Sequence, residues 1–357
     1  MNNNISTRII YFLIGVIITF SPIATHAFSL SKYSENSVLN EGRWVKISVP
    51  NSGVYMITNE DLQKWGFSNP SKVHIYGYGG KRLSDNLTVN SYIDDLPIVQ
   101  SKTTSRGIVF YAQGAESWKQ ISSNRYTHIL NPFSSVGYYL ISDREVAEEP
   151  TIEAIGSNVG ESDMANATTS FTESLYHETN LVNHGETGHL LLGEDFKYTP
   201  SQTFKFDLTD IVPGEKAWMQ CQFAAKTYNT SSLLTFTANG LILPAVIEDK
   251  VPSTSVSAYV HGKLTTTQHI FDISSNQLSL GIKISSQATI QMANLDHIVI
   301  NYTRKLKLAN GSLKFRSLNT LMALECDNNS TTQVWDITNP QKIYSLNTTK
   351  SGNSVLF

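Results

Sequence analysis

The stretch "KAWMQCQFAA", residues 216 to 225, alternates without a break: Ala217, Met219, Cys221, Phe223 and Ala225 fall on one side, while Lys216, Gln220 and Gln222 fall on the other. A period of two places successive side chains on opposite faces of a strand, so these ten residues read as a β-strand with one face in a core. "LSLGIKI", residues 278 to 284, repeats the pattern with Leu278, Leu280, Ile282 and Ile284 on one face. Around these two, further strands are expected at "TFKFDL", "LLTFTA", "SAYVHGKL", "QHIFDI", "ATIQMA" and "HIVINY". Asn239-Gly240 is a hairpin signal, because both residues tolerate positive φ. Short strands at a spacing of about ten residues predict a β-sandwich of jelly-roll type over residues 202–303.

The region before the sandwich is also rich in strands. Val45, Ile47 and Val49 alternate with polar partners, and "NSG" then leads into "VYMIT", so residues 43–58 are read as a hairpin. Thr58 followed by Asp61 starts a short helix, "NEDLQKW", which Gly66 stops. Strands at "SKVHIYGY", "GIVFYAQG", "RYTHIL" and "GYYLIS" complete a small α+β, mostly β N-terminal domain, residues 28–147. Residues 148–201 lack an apolar period and read as a linker and a polar, glycine-punctuated connection. From Arg304 the pattern restarts, with an Asn310-Gly311 hairpin and strands at "TLMALEC", "TQVWDIT" and "KIYSL". "GNSVLF" places the last residue inside a strand with no later partner, so residues 304–357 are expected to be a truncated β segment with an open edge. The fold class is mainly β: a small α+β domain, a jelly-roll-like sandwich and an incomplete third β segment.

Residues 1–27 carry Arg8, an apolar run from Ile9 to Phe20 and small residues up to Ala27. This reads as a signal peptide cut between Ala27 and Phe28. The run is shorter than the roughly 20 residues of a membrane span, so the mature chain is expected outside the cytoplasm, periplasmic or at the cell surface. Removing Arg8 takes the formal charge from -3 to -4. Charged residues make up 16% of the chain, and no basic run or RNA-reading motif occurs, which leaves no basis for nucleic-acid binding.

The densest group of potential ligands is His177, Glu178, His184, Glu186, His189, Glu194 and Asp195. A helical zinc site needs two histidines four residues apart, whereas here the spacings are seven and five in a segment punctuated by Gly185, Gly188 and Gly193, so helical presentation fails and only a loop-built site is conceivable. "YGYGGK", residues 76 to 81, lacks the Gly-Lys-Ser/Thr and following helix of a phosphate loop and reads as a turn. Asp94 and Asp95 supply too few oxygens for calcium and are read as a turn before Pro97. Cys221 and Cys326 are spaced neither as a metal knuckle nor as a redox pair; both end or lie in apolar strands and read as buried thiols, with a long-range disulfide between them left open and not implied. No G-x-S-x-G occurs and no cysteine has an activating histidine beside it, so no catalytic, metal or cofactor-binding residue is assigned.

Several blocks together carry a resemblance. "EGRWVKISVPNSGVYMIT", "WGFSNPSKVHIYGYGG", "IDDLP", "IVFYAQG", "HILNPFSSVGYY", "YHETNLVNHGETGHLLLGEDF" and "VWDITNP" follow in an order that resembles the PorU-like sortases of the bacterial type IX secretion system, which carry a gingipain-type cysteine peptidase domain. The blocks span roughly residues 38 to 346. Where the family has Ser-Gly-Arg and a tryptophan before Gly-Glu, this chain has Thr187, Gly188, His189 and Leu191 before Gly193 and Glu194. The resemblance implies a complete enzyme that cleaves C-terminal sorting signals of secreted cargo through a cysteine acyl-enzyme and attaches the cargo to the cell surface. Its histidine and nucleophilic cysteine lie beyond the matching blocks, so no catalytic residue is carried over. What remains is the scaffold, with a peptidase domain encoded downstream or in a neighbouring gene, an outer-membrane barrel and the cargo as implied partners. A different class is a carbohydrate-binding or adhesion module, since jelly rolls present aromatic platforms to sugars; Trp44, Trp65, Trp118, Trp218 and Trp335 are its candidates.

Overall fold

The computed structural model describes residues 33–84, 93–156, 159–186, 190–251, 260–309, 311–327 and 331–357. The expected signal peptide, with Ala27 and Phe28, therefore lies outside the described residues, as do His189 and Asn310. The chain divides into two units. Of the first, residues 33–42, 83–84 and 93–96 are described. Its one short turn of 3-10 helix, Val38–Asn40, is capped by the Ser37 hydroxyl, which accepts the Leu39 N–H at 3.1 Å.

The second unit, residues 43–82 and 97–357, holds the β architecture. Its N-terminal part has strands β1 (Val45–Val49), β2 (Gly53–Thr58), β3 (His74–Tyr76), β4 (Ile98–Val99), β5 (Ser101–Thr104), β6 (Gly107–Ala112), β7 (Glu116–Ser122), β8 (Arg125–Leu130) and β9 (Gly137–Ser142). The expected hairpin over 43–58 does not form. β1 pairs with β9 in a sheet ordered β1-β9-β3-β4, while β2 pairs with β6 in a second sheet, β2-β6-β5. Pro50 directly after β1 has no N–H to give to a ladder, so the chain turns a corner instead of reversing on itself. Val49 and Ile57 thus enter one core from opposite sheets. The helix α1 (Asn59–Lys64) closes that core with Leu62; the Thr58 hydroxyl accepts the Asp61 N–H at 3.1 Å, and Gly66 adopts φ 89° where the helix ends.

Strand β10 (Glu153–Ile155) belongs to the C-terminal region described below. Next come the eight described strands of the sandwich: β11 (Ser170–Glu178), β12 (Ser201–Asp207), β13 (Lys216–Thr227), β14 (Ser232–Ala238), β15 (Leu241–Glu248), β16 (Lys263–Asp272), β17 (Gln277–Ser286) and β18 (Ile290–Lys305). One sheet runs β11-β18-β13-β16 and the other β12-β17-β14-β15. The first strand pairs with the last, the second with the seventh, the third with the sixth and the fourth with the fifth, all antiparallel. A long antiparallel ribbon folded over on itself gives that nesting, which is the jelly roll. The two alternating stretches meet inside it: Met219, Cys221 and Phe223 from one sheet, Leu280, Ile282 and Ile284 from the other, all buried.

Four readings change at the level of elements. β11 lies in the stretch read as a polar connection, because its outward positions are polar or aromatic and only Phe171 and Leu175 signal a core. "ATIQMA" and "HIVINY" are one strand, β18, with register shifts where it pairs with β13. "SAYVHGKL" lies partly outside the described residues, and β16 begins at Lys263 and runs through "QHIFDI". β15, Leu241–Glu248, follows the Asn239-Gly240 turn and has no counterpart among the expected strands.

The C-terminal part has β19 (Lys307–Leu308), β20 (Ala323–Cys326), β21 (Trp335–Asp336), β22 (Tyr344–Leu346), β23 (Thr349–Ser351) and β24 (Ser354–Leu356). They form two small sheets, β19-β20-β24-β23 and β10-β22-β21, around Met322, Leu324, Cys326 and Val355. The hairpin expected at Asn310-Gly311 turns on Asn310, outside the described residues; among the described residues β19 pairs in parallel with β20. Nor is the last strand an open edge: β24 is paired on one side with β20 and on the other with β23, and Phe357 exchanges backbone hydrogen bonds with Met322 at 2.9 and 3.1 Å.

Candidate functional site

The histidine-rich group is pulled apart by its own strand. Neighbouring residues on β11 point to opposite faces of the sheet. His177 therefore meets Glu194 at 2.7 Å and packs over Phe204 of the facing sheet, whereas Glu178 turns to the outer face and meets His128 at 2.5 Å. His184 contacts the Asn294 side chain at 3.1 Å, and Asp195 accepts the Lys197 N–H at 2.6 Å. Among the described residues, no three His, Cys, Asp or Glu side chains are gathered so as to hold a metal. His189 and the Glu186 side chain fall outside them.

The other sequence candidates serve the backbone or the core. Asp95 accepts the Val38 N–H at 2.5 Å and the Ser37 hydroxyl at 2.9 Å, and Asp94 accepts the Ser34 N–H. In "YGYGGK" the glycines allow close approach: a Cβ on Gly80 would lie 2.6 Å from the Gly114 carbonyl carbon, so the turn is packed against backbone and is not open to a phosphate. Cys221 and Cys326 are both free and buried, in separate cores; burial pushes the Cys221 thiol far above its ordinary range. The five tryptophans are not gathered on one surface: Trp218 is buried, Trp44 stands edge-on to Tyr76 at 5.0 Å, Trp65 is 37% exposed, and Trp118 and the half-buried Trp335 line the cleft described below.

The outer face of the sandwich carries a polar seam that sequence reasoning did not find. The β7–β8 hairpin lies across β11 and β18 there, and Asn301 fixes it by accepting the Tyr126 N–H at 2.5 Å and donating to the Tyr126 carbonyl at 3.1 Å. His128 stacks on Tyr176 at 4.3 Å and stands edge-on to His297 at 5.1 Å. His297 in turn contacts Asp296 at 2.9 Å. The signal was present in "RYTHIL": Tyr126 and His128 share a face, and it is Ile129, on the other, that is exposed. Its members are paired with one another, so the seam reads as the joint that holds the hairpin to the sheet.

Beside this joint the surface opens into a cleft of about 740 Å³. One wall comes from the hairpin, with Glu116, Trp118 and Tyr126; the other comes from Leu313–Thr320 and from the stretch Val334–Thr338. The Arg316 guanidinium lies over the Trp118 ring at 5.0 Å and the Tyr126 ring at 5.5 Å. Lys314 and Lys81 also line it. Burial pulls both Lys314 and Arg316 below their ordinary values. The cleft is thus a half-buried, aromatic-walled, cationic surface suited to holding an anionic group, with no nucleophile among its lining side chains beyond hydroxyls and lysines.

No family model matches the sequence, and no curated protein matches it. The structure is similar to that of PorU from Porphyromonas gingivalis, solved as a dimeric latent form, with a TM-score of 0.80 and 25% identity over 91% of this chain and 31% of that one. Far weaker likenesses are found to the insecticidal δ-endotoxin Cry8Ea1 of Bacillus thuringiensis, TM-score 0.25 and 11% identity over 59% of this chain and 36% of that one. The C-terminal CBM6 of LamC from Zobellia galactanivorans has TM-score 0.20 and 9% identity over 36% of this chain and 98% of that one. Neither of these two carries an argument about this chain. The chain has a PorU-like fold and spans about a third of the PorU chain it matches, 31%.

Proposed function

We propose that this chain is the non-catalytic N-terminal region of a PorU-like sortase of type IX secretion, acting as a scaffold that places a peptidase relative to its cargo and to an outer-membrane partner. The observation that carries the reading is the likeness to PorU across nearly the whole chain. A second supports the non-catalytic part: a cysteine peptidase needs an accessible thiolate with a base beside it, and both thiols here sit in hydrophobic cores. In the complete enzyme the peptidase part, encoded downstream or in a neighbouring gene, supplies the nucleophile. It cleaves the C-terminal sorting signal, and the acyl-enzyme passes the cargo to the cell surface.

Two measurements test this. Purified chain incubated with a sorting-signal peptide is expected to leave it intact; cleavage lost on Cys221→Ser or Cys326→Ser would refute the non-catalytic reading. Deleting the codons for residues 28–357 in the source organism is expected to leave cargo unprocessed and detached from the surface. Normal processing and attachment in that strain would refute the role in secretion.

A further inference from the structure

One wall of the cationic cleft is a stretch of chain, Leu313–Thr320, that belongs to no sheet among the described residues. From Ser312 to Asn319 the chain runs without helix or strand. Among the described residues, the amides and carbonyls of this run make no backbone hydrogen bond to another segment; Asn319 donates locally to the Ser317 hydroxyl at 2.9 Å. Leu313, Lys314, Phe315, Arg316 and Ser317 are half-buried, and backbone groups of this run that exchange water for a partner strand's N–H and C=O groups keep their hydrogen bonds on binding. Across the cleft, β21 is the end strand of its sheet, paired only with β22.

The charges point the same way. Neither Lys314 nor Arg316 has an ion pair among the described residues. The lining carries Lys81, Lys314 and Arg316 against Glu116 and Asp336, a surplus of one positive charge (three cations less two carboxylates); Glu116, which also accepts from the Trp118 indole at 2.5 Å, and Glu173 act on both Lys314 and Arg316 without pairing with them, and Asp336 accepts the Thr338 N–H at 2.9 Å. The lining thus offers a ligand a net positive charge, aromatic surface, and a stretch of chain whose N–H and C=O groups have no backbone partner in another segment among the described residues.

We propose that this cleft binds an acidic peptide in extended conformation, its main chain pairing with residues 312–319 and one of its carboxylates meeting Arg316 and Lys314. A phosphate or an anionic sugar would use the cations and leave the carbonyls unmatched, whereas an added strand satisfies donors and acceptors alike. The inference rests on the cleft alone and holds or fails independently of the secretion reading.

The test is fluorescence anisotropy with the full chain and a fluorescein-labelled Thr-Glu-Val-Glu-Thr-Glu peptide. Saturable binding is expected. Charge-assisted hydrogen bonds contribute about 1.5–3 kcal/mol, so Arg316→Met or Lys314→Met should each weaken it about tenfold or more. N-methylation of alternate peptide nitrogens should weaken it comparably, the lysine counterpart of the peptide should not bind, and inorganic phosphate at about the same concentration should not displace it. Because Arg316 packs on two rings, Lys314→Met with an unchanged melting curve carries the test should the arginine variant fail to fold. Absence of binding up to about 1 mM, equal binding by the N-methylated peptide, an unaffected Lys314→Met variant, or displacement by phosphate would each overturn the proposal.

Discussion

Glu248 sets up a measurable conflict between fold and charge. It ends β15 and is 0% exposed, with the Thr265 hydroxyl close by but, among the described residues, no well-formed hydrogen bond to either carboxylate oxygen. Burial, reinforced by the neighbouring Asp249 and opposed by Thr265 and Lys263, lifts its carboxyl from an ordinary 4.5 to about 7. The folded chain therefore keeps this proton where the unfolded chain has lost it, so its contribution to stability is fully present below pH 4.5 and is lost as pH rises to about 7. At about 1.4 kcal/mol per pH unit across that window, the ionised carboxylate costs the fold about 3 kcal/mol at pH 8. Glu248→Gln removes the ionisation with little change of shape. Urea unfolding of both proteins from pH 4 to 8 should give equal stabilities at the acid end and a variant more stable by about 3 kcal/mol at the alkaline end. His269 must be cancelled out: burial lowers its value below 6.5, so its contribution falls as pH drops, opposite in sign. Because it is present in both proteins, the difference between their curves isolates Glu248. A flat difference across the range, or a variant less stable at pH 8, would refute the argument.

Three further outcomes are expected. Gly107→Ala should cost about 2–4 kcal/mol in urea midpoint measurements, since the glycine has φ 154° and a Cβ would lie 2.0 Å from the Ile57 carbonyl oxygen; a neutral result would contradict the β2–β6 register. His128→Ala breaks the pair with Glu178 and the stack on Tyr176, so limited trypsin digestion should cut at Lys119 and Arg125 in the variant and spare them in the native protein. Neither Cys221 nor Cys326 should react with a disulfide thiol reagent until the chain is unfolded, at which point both titrate.

The sandwich was legible because its core strands alternate cleanly. Ala217 to Ala225 and Leu278 to Ile284 each place every second residue against the opposite sheet, and no tertiary contact has to override that pattern. The misread hairpin at 43–58 has a different origin. Period two reports which residues face a core, not which strand lies alongside, and Val49 and Ile57 satisfy the same pattern whether they share a sheet or face each other across two. β11 was missed because half of its surface is covered by another part of the chain. With the β7–β8 hairpin over it, Tyr176 and Glu178 can be polar and still enclosed.

That covering hairpin also explains why the cleft could not be read from sequence. Its residues are drawn from Glu116 to Tyr126, from Leu313 to Thr320 and from Val334 to Thr338, separated by the entire jelly roll. Arg316 in isolation is one arginine in a polar stretch. It becomes a half-buried cation only because Asn301 and the His128–Glu178 pair hold Trp118 and Tyr126 in place above it. The seam and the cleft therefore share the same rings: whatever loosens the hairpin releases the rings that desolvate Arg316, and by linkage a ligand that grips the guanidinium more tightly with the rings in place stabilises the hairpin against the sandwich.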